Sequence, residues 1–156
     1  MNKNISITLL ITMLWASTSI AFDNGHLQQL KETARCENCD LSGASLSNVN
    51  LRNADLMNAI LTNAYLTGTN LTDVNLINAD LSFAYLTGAN LTGANLTEAN
   101  LTRVDLTGTN LTGANLTRVD LTGADLTESN LTDADLTGAV YCQTTMPDGS
   151  ANYSGC

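Results

Sequence analysis

The sequence predicts a solenoid, a narrow tube of chain that bends once in every five residues. Three regularities point to it. Leucine occupies every fifth position from Leu41 to Leu136, twenty times without a miss. The position two before each leucine is Ala in most repeats, and otherwise Val, Thr, Ser or Cys, so nothing bulky ever stands there. The position just before leucine is Asn or Asp in sixteen of the twenty repeats, and the one just after is Thr or Ser in seventeen. Five helical steps of about 100° would spray the leucines around a helix, and five strand steps would throw them onto alternate faces. Only a chain that bends once per pentad points all of them inward. Leu41, Leu61, Leu81, Leu91, Leu101 and Leu121 mark the core this predicts, with the small residue beside each leucine also inside.

The unit is written in full at Ala89-Asn90-Leu91-Thr92-Gly93 and begins again at Ala94. This motif resembles the pentapeptide-repeat family, and the likeness covers residues 39–140. The resemblance implies an all-β fold, a right-handed quadrilateral parallel β-helix with four pentads in each coil. Twenty pentads then fill about five coils, a rod of about 24 Å at the inter-strand spacing of roughly 4.8 Å.

The elements follow in order. Residues 1–21 read as a Sec-type signal peptide: Lys3 lies in a short polar start, an apolar run extends from Ile5 to Trp15, and Ser19 and Ala21 suit cleavage before Phe22. The run is short of the roughly 20 residues that span a bilayer, so a membrane anchor is disfavoured. Residues 22–38 form an N-terminal cap. Asn24 is placed to start a short helix whose Leu27, Leu30 and Ala34 share a face, with Arg35 near its end. Residues 39–140 are the repeat. Tyr141 takes the next leucine slot, and residues 141–156 form a C-terminal cap tail that folds back through a turn at Met146-Pro147-Asp148-Gly149. Both ends of a coil stack need such cover.

Six Lys and Arg against fifteen Asp and Glu give a formal net charge of −9, which loss of Lys3 with the leader would take to −10. That balance excludes nucleic acid as a ligand, because phosphate binding needs clustered cations. Four cysteines in an exported chain favour disulfides. The rod of the resembled family puts Cys36 and Cys39 at one end and Cys142 and Cys156 at the other. A disulfide needs Cα atoms within about 7 Å, so Cys36–Cys39 with Cys142–Cys156 is the easy pairing. Cys36 and Cys39 fall in a leucine slot and a small-residue slot, which favours staples over a redox pair.

The four pentads per coil that the resemblance implies let the surface be mapped. Tyr65 lies above Tyr85 in one column, with Asn63, Phe83 and Arg103 in the neighbouring column. Tyr65, Phe83, Tyr85 and Arg103 form the candidate binding patch, aromatic and cationic on an otherwise acidic rod. A tyrosine ladder that only stabilises the stack is the competing reading. Met57 above Ile77, with Ile60 around the corner, is a second apolar patch. His26 is the single histidine, and the carboxylates stand in rows rather than convergent sets, so no catalysis, cofactor or metal is expected.

The function expected is an exported, non-catalytic scaffold, periplasmic or extracellular, that presents an acidic rod to a protein partner. Neither nucleic acid nor stable membrane insertion after leader cleavage is expected. The resemblance adds that family members often pair through a rod end, so the chain is a monomer or an end-to-end homodimer. It also supplies an alternative: some cytoplasmic members mimic DNA and bind gyrase, conferring quinolone resistance. A leader and disulfides argue against that compartment. The last alternative is a thiol-disulfide protein acting through Cys36 and Cys39.

Overall fold

The computed structural model describes residues 24–156; the leader expected over residues 1–21 and its cleavage point before Phe22 lie outside them. Parallel bridges join each coil to the next, every one linking a residue to the residue twenty places on, from Arg35–Asp55 to Asp125–Thr145. Twenty residues are four pentads, so leucine stacks on leucine and each surface position on its own kind. The bridges stay isolated because the chain bends again before a longer strand can form.

Residues 90–94 show how one pentad satisfies its backbone. The Asn90 N–H donates to the Thr69 carbonyl of the coil before at 3.0 Å, while Leu91 and Gly93 donate to Asn110 and Thr112 of the coil after at 2.7 and 3.0 Å. Ala94 donates across the bend to Leu91 at 3.0 Å. The remaining N–H, of Thr92, donates to Oδ1 of Asn90 at 3.1 Å, and the Thr92 hydroxyl donates to the same oxygen at 2.6 Å. No N–H of the unit is left unpaired, as a backbone bent this often requires. The order Asn/Asp, Leu, Thr/Ser is therefore a side-chain turn repeated around the tube. Only an acceptor oxygen is needed there, so Asn and Asp interchange.

The residue at each outer corner is left-handed, for example Asn63 at φ 57, Gly93 at φ 66 and Phe83 at φ 59. Glycine adopts that conformation freely and Asn or Asp tolerate it, whereas a bulky side chain costs about 1–2 kcal/mol.

Leu41, Leu61, Leu81, Leu91, Leu101 and Leu121 are all fully buried, and Ala44, Ala64, Ala84, Ala94 and Ala124 fill the space beside them. Each leucine contributes roughly 1.5–3 kcal/mol of transfer free energy. Where Thr takes the small slot its hydroxyl is paired: Thr69 donates to the Leu46 carbonyl and Thr109 to that of Leu106, both at 2.7 Å.

Helix α1 spans Asn24–Thr33. Leu30 is buried in the core and Leu27 packs against it. Ala34, expected on the same face, instead ends the helix at φ 55 and is exposed, its N–H donating to Leu30 at 2.9 Å. His26 ties the helix to the first coil, Nδ1 accepting the Asp40 N–H at 3.1 Å.

At the other end the coil geometry continues past Val140. Tyr141 and Met146 take two further leucine slots and pack on the core, and Thr144 takes a small-residue slot, fully buried, its hydroxyl donating to Leu121 at 2.7 Å. Strand β1 (Thr144–Thr145) then pairs antiparallel with β2 (Ala151–Asn152) as the tail turns back. This half coil covers Leu121 and Leu126 but not Leu131 and Leu136, which stay only partly buried.

Candidate functional site

Tyr65 and Tyr85 occupy the position before leucine, where most repeats carry Asn or Asp. Their rings stack with centroids 5.2 Å apart and planes at 10°, a pairing worth about 0.5–1.5 kcal/mol beyond area burial. Stability is also lost here, because neither tyrosine can accept the N–H two residues on. The Thr87 hydroxyl, with no Asn or Asp upstream, donates instead to Asp105 of the next coil at 2.8 Å.

Phe83 lies two residues before Tyr85, on the outer corner. It is 45 % exposed while held at φ 59. Arg103, one coil on in the same column, places its guanidinium carbon 5.6 Å from the Phe83 ring centroid. Tyr65 at 50 % and Tyr85 at 45 % exposure leave the stacked tyrosines and the Phe83–Arg103 pair both at the surface, in neighbouring columns. Two other cations are tied up elsewhere: Arg52 pairs with Asp73 at 2.8 Å, and Arg118 with Glu98 at 2.7 Å. Arg103 caps an aromatic ring instead.

One feature of this surface escaped the sequence reading. A shallow depression of about 250 Å³, lined by Ser42, Gly43, Thr62 and Asn63, adjoins the patch along the Phe83 column. Asp105, below Tyr85, is a charged boundary. Burial, the largest single influence on it, pushes its carboxyl up, but the Thr107 N–H and hydroxyl and the Thr87 hydroxyl outweigh that and hold it below its ordinary value. The position of Asp105 follows from the column register, whereas the depression has no motif of its own.

Asp40 is likewise lowered, by the Ser42 hydroxyl and N–H; Asp135 by those of Thr137; Asp148 by those of Ser150. A folded-state value below the unfolded one stabilises the fold above the unfolded carboxylate range, and that contribution is lost as pH falls through the folded value. Melting temperature should therefore hold from neutrality to about pH 5 and fall below about pH 4. Asp105→Asn keeps the acceptor for Thr107 without titrating, so its decline in acid should be shallower; an identical acid limb would refute this.

Cys36 and Cys39 form one disulfide with Cα atoms 5.2 Å apart, and Cys142 and Cys156 another at 4.7 Å. Cys36 and Cys39 are both buried, which denies an exchanging thiol access to them. The second apolar patch is divided, with Met57 and Ile77 half-buried and Ile60 exposed. Among the described residues no group of three or more His, Cys, Asp or Glu could hold a metal ion, and no helix is long and apolar enough to cross a membrane.

The family model for pentapeptide repeats, in eight copies, matches residues 34–73, 75–113 and 105–140. Among solved structures the chain is similar to the pentapeptide repeat protein Rfr23 of the cyanobacterium Cyanothece 51142, at 31 % identity over 74 % of this chain and 92 % of that one, TM-score 0.38. It is similar also to a pentapeptide repeat protein of the Arabidopsis thaliana thylakoid lumen, at 30 % identity over 77 % of this chain and 74 % of that one, TM-score 0.36. A trypsin-treated form of QnrB1, a plasmid-mediated fluoroquinolone resistance protein, matches at 19 % identity over 76 % of each chain, TM-score 0.38. No curated protein matches the chain.

Proposed function

Because the chain belongs to the pentapeptide-repeat family, we propose that it is a non-catalytic rod that holds a protein partner against Tyr65, Phe83, Tyr85 and Arg103. In this reading the rod has about five right-handed coils, with α1 as its N-terminal cap and the tail as its C-terminal one. It is exported by the leader in residues 1–21 and works in the periplasm or outside the cell. Two disulfides and no free cysteine among the described residues support an oxidising compartment.

The observation that carries the reading is Phe83. A large apolar side chain sits half-exposed in a backbone conformation that suits glycine, beside tyrosines that forgo the repeat's own turn. Local rules broken together on one exposed surface, with no core to gain, point to recognition rather than stability. Aromatic and arginine side chains are also the groups that dominate protein interfaces.

The gyrase alternative draws on the acidic rod, with its net charge of −9. The disulfides weigh against it, since cytosolic thiols stay reduced.

The test is a set of surface variants in cells expressing the full-length chain. Tyr65→Ser with Tyr85→Ser, and separately Phe83→Gly, should abolish cross-linking to the exported partner. Phe83→Gly should leave the melting temperature unchanged or raise it, since relief of about 1–2 kcal/mol of left-handed strain offsets the lost ring contact. Full retention of cross-linking with a lowered melting temperature would leave the patch a structural ladder. The exported product should begin at Phe22; an uncleaved cytoplasmic chain would favour the gyrase reading.

A further inference from the structure

The last coil is half finished. One coil back, the N–H groups of Leu111, Gly113, Leu116 and Arg118 donate to the carbonyls of Asn130, Thr132, Asp135 and Thr137 at 2.9, 2.9, 2.7 and 2.9 Å. Their counterparts in the last coil, the N–H groups of Leu131, Asp133, Leu136 and Gly138, have no partner among the described residues. The apolar side of the same edge is unfinished too. Leu111, Ala114, Leu116 and Val119 are fully buried, whereas Leu131, Ala134, Leu136 and Ala139 are only partly so.

Ser129 adds an independent mark. It opens this edge in the small-residue slot and is only 8 % exposed, yet its hydroxyl has no partner. The hydroxyls of Thr69 and Thr109, in the same column, are both satisfied. Among the described residues the chain does not close the gap itself. Its tail covers the other two faces, with Gly123 donating to Cys142 and Leu126 to Thr145, and then turns back. The Cys142–Cys156 disulfide and the Tyr141 N–H to Ser154 bond hold it there.

Charge selects the occupant. Residues 119–156 contain Asp120, Asp125, Glu128, Asp133, Asp135 and Asp148 and not one Lys, Arg or His. A second copy joined through this same end would bring the same six carboxylates against these. We infer that the open edge at residues 129–139 accepts an extended, basic segment of another protein, which adds as the missing half coil. Its backbone carbonyls take the four waiting N–H groups, its apolar side chains cover Leu131 and Leu136, and its outward Lys or Arg meet Asp133 and Asp135. This is strand addition to an exposed edge. It uses the end of the rod and does not depend on the aromatic patch along its side.

The probe is a synthetic decapeptide, two copies of Ala-Lys-Leu-Thr-Gly, added to the oxidised protein, with a control in which Glu replaces Lys. The lysine peptide should slow amide hydrogen exchange at Leu131, Asp133, Leu136 and Gly138 by at least about tenfold. The glutamate peptide should not. Asp133→Asn with Asp135→Asn keeps the turn acceptors, and should weaken binding roughly three- to tenfold at low salt with little further loss at high salt. Tyr65→Ser with Tyr85→Ser should change nothing here, so failure of the lateral patch and failure of this site remain distinct. Unchanged exchange at the four amides with saturating lysine peptide overturns the proposal. So does equal binding of the two peptides, or protection of the same amides by protein concentration alone with a dimer in sedimentation, which would assign the edge to a second copy.

Discussion

Ala94→Phe is expected to destroy the fold of the central coils. Ala94 is fully buried. Its N–H donates to Leu91 across the bend, and its carbonyl accepts Asn115 from the next coil, at 3.0 and 2.9 Å. Val74 and Ala114 stack on either side of it in the small-residue column, both buried. A phenylalanine ring there has no cavity to enter and no flexible neighbour to displace, because the coils are tied at every face. Overpacking a tight core costs typically 1–3 kcal/mol; here the only relief is to pry adjacent coils apart and break their ladder, so the loss should exceed that range. Urea denaturation followed by circular dichroism gives the answer. Ala94→Val serves as the control, because Val74, Val104 and Val119 fill equivalent slots, and it should stay within about 1.5 kcal/mol of the parent. A parent-like midpoint for Ala94→Phe would mean the tube is not filled.

Leu91→Ala should cost about 2–5 kcal/mol. The side chain is fully buried midway along the rod, and its neighbours are held by bonds to both adjacent coils, so the cavity cannot collapse. Leu136→Ala makes the comparison informative. Leu136 is only partly buried and no coil lies beyond its face among the described residues, so the same deletion should cost less than half as much. Equal losses at the two positions would contradict the burial gradient. The comparison is valid provided the denaturant slope is unchanged.

The tube was legible because its cause is repetitive. Twenty leucines at one spacing require a chain that bends once per pentad, and the length of the rod that the resemblance implies, which parts Cys36 and Cys39 from Cys142 and Cys156, led to the observed pairing. The columns of Tyr65 with Tyr85 and Phe83 with Arg103 followed from the register once the resemblance supplied four pentads per coil. The Asn/Asp–Thr/Ser turn was present in the composition but went unread, because its meaning lies in a two-residue offset rather than in either residue. Ala34 was placed on the helix face by spacing, yet left-handed termination is decided by what the next residues must reach. The open edge at Leu131 and Leu136 was hidden for a different reason. Nothing in pentads 130–134 and 135–139 differs from those before them; their exposure depends on where the tail goes, and a disulfide with its hairpin determines that.

The twenty-residue period also fixes how such a chain can change in length. Removing or adding four pentads shifts one end along the axis by a single layer, about 4.8 Å, and leaves every surface column facing the same compass point. Removing one pentad turns everything downstream through a quarter revolution, so Tyr85 would no longer sit under Tyr65 and the hairpin would settle over different walls. Growth by whole layers is therefore the permitted mode, and the distance between an aromatic flank and an acidic terminus becomes a quantity that duplication can adjust in even steps.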